Sequence, residues 1–233
     1  DLSVPHVRNY IKRQLQLELL GEVPVLSIRT EPLQNPVNRL AKRLFDLTFS
    51  SLFLLTIFPF MYLIVGLIIK ITSPGPIFFK QERNGENGKI FKCYKFRSMK
   101  VNALSDSLQA TKNDPRKTKF GNFLRKSNLD ELPQFINVFK GEMSIVGPRP
   151  HMLKHTEEYS QLINKYMMRH LVKPGITGWA QVTGYRGETK ELSQMEGRVR
   201  RDLWYIENWT FLLDIRIMIK TVTNMFRGEK NAY

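Results

Sequence analysis

The sequence LTFSSLFLLTIFPFMYLIVGLII occupies residues 47–69 and holds 23 consecutive residues without a charge. Asp46 precedes it and Lys70 follows it. A membrane helix needs about 20 predominantly apolar residues, so the segment is long enough to enter a bilayer. A buried core helix is the alternative interpretation.

Pro59 lies near the middle of this apolar segment, with twelve residues before it and ten after it. It leaves the carbonyl of Leu55 without a helical donor and disfavours helical geometry at Phe58. Each half is roughly 17 Å long as a helix, which is about the depth of one leaflet. The pattern predicts a re-entrant membrane helix over about residues 44–70, broken at Pro59.

Basic residues flank the apolar segment on both sides. They are Arg39, Lys42 and Arg43 before it and Lys70, Lys80 and Arg83 after it. Positive flanks prefer the cytoplasmic side, and a simple span places one cluster outside, so we favour a hairpin. Asp46 is costly at a membrane edge unless it is paired, and Arg43 at i−3 is the predicted partner. A helix-start acid is the other interpretation of Asp46.

Composition narrows the class of partner. The chain has 233 residues, a net charge of +15 and a pI near 10.0. Such a charge predicts a nucleic acid, a phosphorylated substrate or an anionic lipid bilayer as partner. The single Cys93 excludes an intrachain disulfide framework and fits a reducing compartment. Because the chain begins with Asp1, we expect a processed or truncated polypeptide.

Element signals divide the chain in two. Residues 1–20 predict a helix and Val23–Ile28 a short strand, so residues 1–35 are interpreted as the tail of an upstream α/β domain plus linker. Residues 36–233 form the second predicted domain. Its predicted elements are a small β-hairpin within 77–99 with its loop at 84–88, a helix over 119–140 broken near Pro133, and amphipathic helices over 152–170 and 197–226. The fold class is α+β, mainly helical.

Two further motifs carry charge. They read RKSNLDELPQ at 125–134 and GPRP at 147–150. Adjacent acids on a helix diverge by about 100°, so Asp130 and Glu131 are expected to have different tasks. Arg125 and Arg149 match phosphate oxygens, but Arg125 lies about 140° from Asp130 on one helix. Either a local break or an extended arginine must bring it back. The structural alternative is that the two acids lie in a solvent-exposed first turn of a helix, where they complement the helix dipole.

Several co-linear motifs resemble a known family from about Asn38 to the C-terminus. They are Lys42-Arg43-Leu44-Phe45-Asp46, Ser73-Pro74-Gly75-Pro76, Lys95-Phe96-Arg97-Ser98-Met99, Leu129-Asp130-Glu131-Leu132-Pro133-Gln134, Gly147-Pro148-Arg149-Pro150 and Lys173-Pro174-Gly175-Ile176-Thr177-Gly178. The family is that of the bacterial sugar transferases known as monotopic polyprenyl-phosphate glycosyl-1-phosphate transferases. Asn128 stands where serine is common in such motifs, and Glu142 where aspartate is common.

The resemblance implies an activity, a location and a domain organisation. Residues 1–35 would end an upstream regulatory α/β domain, and residues 36–233 would form a membrane-associated phosphoglycosyl transferase catalytic domain. A sugar 1-phosphate moves from a UDP-sugar to undecaprenyl phosphate with release of UMP and with Mg²⁺ as cofactor, which initiates exopolysaccharide, capsule or O-antigen synthesis. The implied location is the bacterial inner (cytoplasmic) membrane, with amphipathic interfacial helices around an active site that faces the cytoplasm. The resemblance allows a homo-oligomer, and nothing in the sequence separates glucose from galactose, an N-acetylhexosamine or a bacillosamine-like sugar.

The resemblance also assigns residues. Asp130 is the implied nucleophile, forming an aspartyl-phosphosugar intermediate, and Glu131 either binds Mg²⁺ beside Asp130 or acts as a general base. The substrate-binding set is Arg125, Arg149, Pro148, Arg97 and Lys95. A carboxylate can attack a diphosphate only where cations or a metal offset the phosphate charge, and the basic residues agree with that need.

Two other functions are weighed against this one. Charge and the run Tyr94-Lys95-Phe96-Arg97 suit a nucleic-acid-binding module, but such a module has no use for the apolar segment, so we expect no nucleic-acid partner. A membrane-anchored scaffold leaves the paired acids unexplained. His151 and His155 are spaced for a shared metal, but no third ligand follows, so they are interpreted as surface or substrate-adjacent residues. The aromatic helix over 197–226 suits either a membrane interface or a protein core.

Overall fold

Helices dominate the structure, a computed structural model that describes residues 15–20, 23–28, 31–101, 114–163, 165–187 and 191–227. The helices are α1 Pro36–Thr56, α2 Phe58–Thr72, α3 Lys119–Lys126, α4 Gln134–Lys140, α5 Leu153–Leu162, α6 Trp179–Val182, α7 Leu192–Glu207 and α8 Phe211–Arg227. The strands are β1 Leu15–Leu20, β2 Val23–Ile28, β3 Phe78–Asn84, β4 Ile90–Phe96, β5 Ser144–Val146 and β6 Gly175–Thr177, and the 3₁₀ segments are Pro32–Gln34, Glu86–Gly88, Leu129–Glu131 and Tyr166–Leu171. The mainly helical α+β class is confirmed.

The apolar segment forms two helices that meet at an angle of 56°. Asn35 begins α1 because its side chain accepts a hydrogen bond from the Val37 amide, with Pro36 at the first helical position. The break falls at Ile57, so Pro59 occupies the first turn of α2, where its missing N–H costs nothing. The predicted break is confirmed, two residues earlier than expected. In the described part of the chain no single helix has the length and apolarity to cross a membrane, whereas this bent pair meets both criteria.

One face of this helix pair is packed and the other is exposed. Val65 and Ile69 pack with Phe96 and Leu124 beneath the pair. The opposite face exposes large apolar side chains, among them Leu40, Leu44, Leu52, Leu55, Phe60, Leu63, Ile64, Leu67 and Ile71. The rest of the described chain therefore covers one side of the pair only.

The predicted Arg43–Asp46 ion pair is wrong, and so is the interpretation of Asp46 as a helix-start acid. Asp46 lies in the middle of α1, is 3% exposed, and accepts a hydrogen bond of 3.0 Å from the Ile145 amide of β5. Arg43 donates instead to the carbonyls of Val138 (2.7 Å) and Phe139 (2.8 Å). The last carbonyls of a helix lack intrahelical donors, so the end of α4 attracts the guanidinium.

The predicted β-hairpin is confirmed. Strands β3 and β4 pair antiparallel, with Phe78 opposite Phe96 and Gln81 opposite Cys93. Asn87 adopts a positive φ of 55° in the loop, a conformation that asparagine tolerates. The side chain of Cys93 is buried.

The predicted N-terminal helix is wrong where the structure describes it. Residues 15–20 form β1, which pairs antiparallel with β2, while residues 1–14 lie outside the described ranges. The alternation Leu15-Gln16-Leu17-Glu18-Leu19 has the period of a strand, which explains the difference. The predicted strand over Val23–Ile28 is confirmed.

Three predicted helices are each divided. Residues 119–140 form α3, a 3₁₀ turn and α4, and residues 152–170 form α5 followed by a 3₁₀ segment. The predicted helix over 197–226 is two helices, α7 and α8, because the Thr210 hydroxyl accepts a hydrogen bond from the Leu213 amide and so begins a new helix. Both helices contribute to the core.

The main core lies between α1, α4, β5, α7 and α8. Val138, Met143, Val146, Tyr205, Ile206 and Ile217 are its fully buried members. Trp209 is also buried there, while Trp204 stacks on Trp179 and is partly exposed, so the aromatic helix region mainly covers a protein core.

A buried ionic cluster fastens α1 to this core. The Asp214 carboxylate of α8 accepts hydrogen bonds from Lys42 Nζ (2.5 Å), the Tyr205 hydroxyl (2.8 Å) and Trp209 Nε1 (3.1 Å). We call these four residues the Asp214 cluster. Because burial of a lone charge is costly, the four groups hold one another in a single arrangement.

Candidate active site

A short turn carries the two acids. Helix α3 ends at Lys126, and Asn128 then adopts the left-handed conformation with φ of 60°. The carbonyl of Asn128 accepts a 3.2 Å hydrogen bond from the Glu131 amide and so closes the 3₁₀ turn Leu129–Glu131. Asparagine is one of the few residues that visit this conformation readily. The turn buries both carboxylates, with Asp130 6% and Glu131 7% exposed.

The Glu131 carboxylate is fully engaged by cations. Arg149 donates to both of its oxygens, from Nη1 at 3.1 Å and from Nη2 at 2.5 Å, and Lys95 Nζ donates to Oε1 at 2.8 Å. Burial acts to raise the pKa of Glu131, but the charges of Arg149 and Lys95 outweigh burial and hold that pKa well below its usual value. Glu131 is therefore an ionised anchor for both side chains.

The carboxylate of Asp130 differs from that of Glu131 in its hydrogen bonds and in the direction of its pKa shift. Among the residues that the structure describes, none forms a hydrogen bond or salt bridge with its carboxylate. Burial and the adjacent charge of Glu131 raise the pKa of Asp130, and Lys95, Arg125 and Arg149 oppose that rise. Two neighbouring carboxylates with opposite pKa shifts are typical of groups with separate chemical tasks.

The interruption of the helix after α3 places Arg125 on the same side as Asp130. The left-handed Asn128 interrupts the helix, so the angle expected on a continuous helix does not apply. Arg125 donates from Nε to the Ser98 hydroxyl at 2.9 Å and lines the same cavity as Asp130. Of the two alternatives, the local break is the correct one.

Two of the predicted substrate-binding residues have backbone contacts. Arg97 donates to the carbonyls of Ser73 (2.5 Å) and Pro74 (2.7 Å) just after α2, although part of its side chain lines the cavity. The carbonyl of Pro148 accepts a hydrogen bond from the Gly175 amide, and Pro148 is not part of the cavity wall. Their roles in substrate binding stay predictions.

The cavity around Asp130 has a volume of about 320 Å³ and a strongly basic wall. Its cationic lining residues are Arg83, Lys95, Arg97, Lys100, Arg116, Arg125, Arg149, Arg186 and Arg198. The volume is typical of a small-molecule site, and such a surplus of guanidinium groups suits a ligand with several anionic oxygens. Phe96 is buried, so within the run from Tyr94 to Arg97 its ring is not exposed for base stacking.

The two acids differ as ligands for Mg²⁺. Mg²⁺ is commonly held by one or two carboxylates together with substrate phosphates and water. Asp130 fits that role because its oxygens accept no hydrogen bond from the described residues. Glu131 fits less well because its oxygens already accept three hydrogen bonds. Within the described ranges there is no cluster of three or more His, Cys, Asp or Glu residues suited to a metal.

Sequence reasoning missed several polar contacts in the cavity wall and behind it. Arg169 and Asp202 form a salt bridge of 2.7 Å that is almost completely buried, and Arg169 also donates to the carbonyl of Arg149 at 2.8 Å. Their separation of 33 residues left no local signal. Arg186 donates a hydrogen bond to the Asn128 side chain. The two glycines that flank Tyr185-Arg186 are the feature of the sequence that could have indicated a loop with a functional role there. His151 is buried rather than on the surface, and it lines the cavity.

Comparison with known proteins identifies the family of this chain. A family model described as bacterial sugar transferase matches residues 37–228. The chain is 52% identical over its whole length to a UDP-glucose:undecaprenyl-phosphate glucose-1-phosphate transferase of Escherichia coli (strain K12), covering 50% of that protein. An enzyme with the same name from Xanthomonas campestris pv. campestris is 48% identical over 99% of the chain, which covers 48% of it.

A more distant relative has another sugar in its name. It is a UDP-N-acetylgalactosamine-undecaprenyl-phosphate N-acetylgalactosaminephosphotransferase of Aeromonas hydrophila, 35% identical over 97% of the chain, which covers 54% of that protein. The chain thus spans about half the length of these curated relatives. With its family match over residues 37–228, the chain belongs to the bacterial sugar transferase family.

Proposed function

We propose that this protein transfers a sugar 1-phosphate from a UDP-sugar to undecaprenyl phosphate and releases UMP. The observation that carries the proposal is the divided carboxylate pair, with Glu131 bound by cations and Asp130 unbonded in a basic cavity. The relatives' names support the lipid acceptor and a UDP-sugar donor. UDP-glucose is the proposed donor, because the relatives at 48% and 52% identity are named for it.

The proposed reaction has two displacements. An oxygen of Asp130 attacks the phosphorus that carries the sugar, and the bond from that phosphorus to the bridging oxygen breaks, so UMP leaves with the bond's electron pair. An oxygen of undecaprenyl phosphate then attacks the same phosphorus and expels the Asp130 carboxylate. The product is undecaprenyl diphosphate sugar, and the enzyme returns to its starting state.

Glu131 is proposed to position cations rather than to move a proton. A carboxylate whose pKa is held far below its usual value is a weak base at neutral pH. Its hydrogen bonds to Arg149 and Lys95 instead hold two positive charges beside the attacking carboxylate. Arg125 and Arg149 are proposed to bind the phosphate oxygens as negative charge moves onto the leaving group.

Mg²⁺ is the proposed cofactor, with Asp130 as its protein ligand and the donor's phosphate oxygens completing the site. When bound, the ion would neutralise phosphate charge that otherwise repels a carboxylate. Lys95, Arg125 and Arg149 supply the chain's own share of that neutralisation.

A membrane location is proposed from the outer face of α1 and α2. That face exposes a continuous set of large apolar side chains, and basic residues lie at both ends of the pair. A re-entrant hairpin would put both basic ends at the cytoplasmic surface of an anionic bilayer. Arg97 ties the end of α2 to the cavity wall, so the lipid phosphate would arrive near Asp130.

The test is UMP release from UDP-glucose by the protein in nanodiscs that contain undecaprenyl phosphate. We expect Asp130→Asn to abolish transfer, and intact-mass spectra of the wild type with UDP-glucose alone to show a phosphoglucose adduct on Asp130. The control is Glu196→Gln, which also replaces a carboxylate by an amide but at an exposed position of α7. Turnover in Asp130→Asn equal to that of the control would rule out the proposed nucleophile.

A further inference from the structure

The four residues 184–187, which we call the 184–187 loop, follow α6 in the chain. Both of its glycines adopt a positive φ, 93° at Gly184 and 103° at Gly187. A side chain disfavours such backbone angles, so the path of the loop depends on glycine at both ends. Tyr185 and Arg186 lie between the two glycines.

Hydrogen bonds to α6 and α7 fix the backbone of this loop. The Tyr185 amide donates to the carbonyl of Ala180 at 2.9 Å. Arg198 of α7 donates from Nε to the carbonyl of Tyr185 at 3.0 Å and from Nη2 to the carbonyl of Gly187 at 2.9 Å. A guanidinium presents its donors in a rigid fork, so one arginine holds these two carbonyls at a set separation. The 184–187 loop therefore has a defined position on α7.

The side chain of Tyr185 packs against one face of α7. The guanidinium carbon of Arg201 lies 3.9 Å from the centroid of the tyrosine ring, within the range of a cation–π interaction. The edge of the ring lies so close to Gly197 that a Cβ at that position would overlap it. Gly197 and Arg201 are four residues apart and so share one face of the helix. The glycine makes room for the ring, and the arginine covers it.

Arg186 extends from the loop to the turn that carries the two acids. Its guanidinium donates a hydrogen bond to the side-chain oxygen of Asn128, 58 residues earlier in the chain. Asn128 is the left-handed residue whose carbonyl accepts from the Glu131 amide and closes that turn. Left-handed geometry costs energy in a residue with a side chain, so a contact from outside the turn helps to keep it. The charge of Arg186 also contributes to the lowered pKa of Glu131.

We propose that Tyr185 is a positioning residue for the reaction at Asp130. Its ring, packed on α7, keeps Arg186 on Asn128, and that contact fixes the turn that carries the nucleophile. Tyr185 does not line the cavity, so it acts through Arg186 and not by touching the substrate. The proposal rests on the proposed transferase function and adds to it a residue from outside the cavity.

The first test follows the rate of adduct formation on Asp130 at saturating UDP-glucose, without lipid acceptor, in the full chain in nanodiscs. Tyr185→Leu should lower this rate about tenfold, the usual effect of losing one hydrogen bond to a charged group. Tyr185→Phe keeps the ring and should stay within about twofold of the parent. Gly197→Ala should slow the reaction as Tyr185→Leu does, because its methyl group takes the place of the ring. Alanine favours a helix more than glycine does, so α7 itself is not weakened.

A double variant separates positioning from a general loss of structure. Asn128→Gly removes the acceptor of Arg186 but keeps a residue that adopts a positive φ readily. In this background Tyr185→Leu should have no further effect, because the contact that it supports is already absent. An equal loss in the parent and in the Asn128→Gly background would overturn the proposal. Arg201→Met should lower the rate about threefold, and Arg200→Met, the same change at an exposed position of α7, is the matched control.

Hydrogen exchange at the Glu131 amide gives a measurement that needs no ligand. This amide closes the turn by donating to the carbonyl of Asn128, so a loosened turn should exchange faster. We expect about tenfold faster exchange in Tyr185→Leu and no change in Arg200→Met. Faster exchange in a protein that forms no adduct would keep the positioning role and count against the transferase. Unchanged exchange and an unchanged adduct rate in Tyr185→Leu would overturn the positioning role and leave Asp130 as the nucleophile.

Discussion

The carboxylates of Asp214 and Asp130 are both buried, yet their surroundings differ completely. Asp214 accepts hydrogen bonds from Lys42, Tyr205 and Trp209, so its negative charge is compensated by one cation and two neutral donors. Asp130 has no bonded partner among the described residues, and its pKa is raised by burial and by Glu131. The contrast separates a buried charge that stabilises the fold from one that is kept available for chemistry.

The largest expected effect comes from neutralising the available charge. Asp130→Asn should lower turnover by at least about 10⁴-fold, which corresponds to about 5.5 kcal/mol of activation free energy. Because the folded-state pKa of Asp130 is raised, this carboxyl lowers the stability of the fold as the pH rises from its unfolded-state pKa to its folded-state pKa, and asparagine removes that loss. The thermal midpoint at pH 7 should therefore not fall. A lower midpoint together with normal turnover would reverse the roles assigned to the two carboxylates.

The next effect comes from opening the Asp214 cluster. Asp214→Asn leaves Lys42 buried without a counter-charge, which should cost about 3–5 kcal/mol of unfolding free energy. Denaturant unfolding measures it, with Lys42→Met and the double variant completing a thermodynamic cycle. The double variant should be more stable than the sum of the single changes indicates. Strict additivity would show that the two groups are not coupled.

A smaller effect should follow from removing the charge of Glu131 while keeping its shape. Glu131→Gln takes away a neighbouring negative charge that raises the pKa of Asp130, so that pKa should fall. Since Asp130 must be ionised to attack, the acid limb of the pH–rate profile should move to lower pH. The rate itself should drop by about 10²-fold because Lys95 and Arg149 lose their anchor.

Adduct formation from UDP-glucose without lipid acceptor is the appropriate measurement for this variant, since the lipid phosphate also titrates. In the wild type, the raised pKa of Asp130 places the acid limb above the range of an ordinary aspartate. An acid limb that moves to higher pH in Glu131→Gln would contradict the proposed coupling between the two acids.

The smallest effect should come from the partly exposed attachment of α1. Arg43→Met removes two hydrogen bonds to the carbonyls of Val138 and Phe139 and should cost about 1 kcal/mol. Arg39→Met is the matched change, and its exposed pair with Glu86 should contribute close to zero. Equal costs for the two variants, measured by denaturant unfolding, would show that Arg43 does not stabilise the end of α4.

Local signals predicted much of the fold. The uncharged segment with its proline predicted a bent helix pair, and the two-glycine loop predicted the hairpin of β3 and β4. The strand at Leu15–Leu20 was missed although its alternation was visible. The division between α7 and α8 depends on a hydroxyl cap at Thr210 that periodicity does not detect.

The candidate site was predictable where its residues fall within short motifs of the sequence. The Asp130-Glu131 dipeptide and the Gly147-Pro148-Arg149-Pro150 loop were found from their sequence, and the structure brings them together through Arg149 and Glu131. Asp46 was assigned to Arg43 because a spacing of three favours contact, but a backbone amide from β5 outcompeted it. Sequence reasoning did not identify Arg169, Asp202 or Arg198, because contacts between residues far apart in the chain have no characteristic spacing in the sequence.

The bonds from Arg97 to the carbonyls of Ser73 and Pro74 have a geometric consequence. They join the end of α2 to β4 and so fix the distance between the outer apolar side chains and the Asp130 carboxylate. If a bilayer sets the depth of α2, the distance of the proposed nucleophile from the lipid surface is then determined by the folded protein and not by the lipid. Lipids of different chain length would move the whole domain up or down together, while the distance between hairpin and carboxylate stays constant.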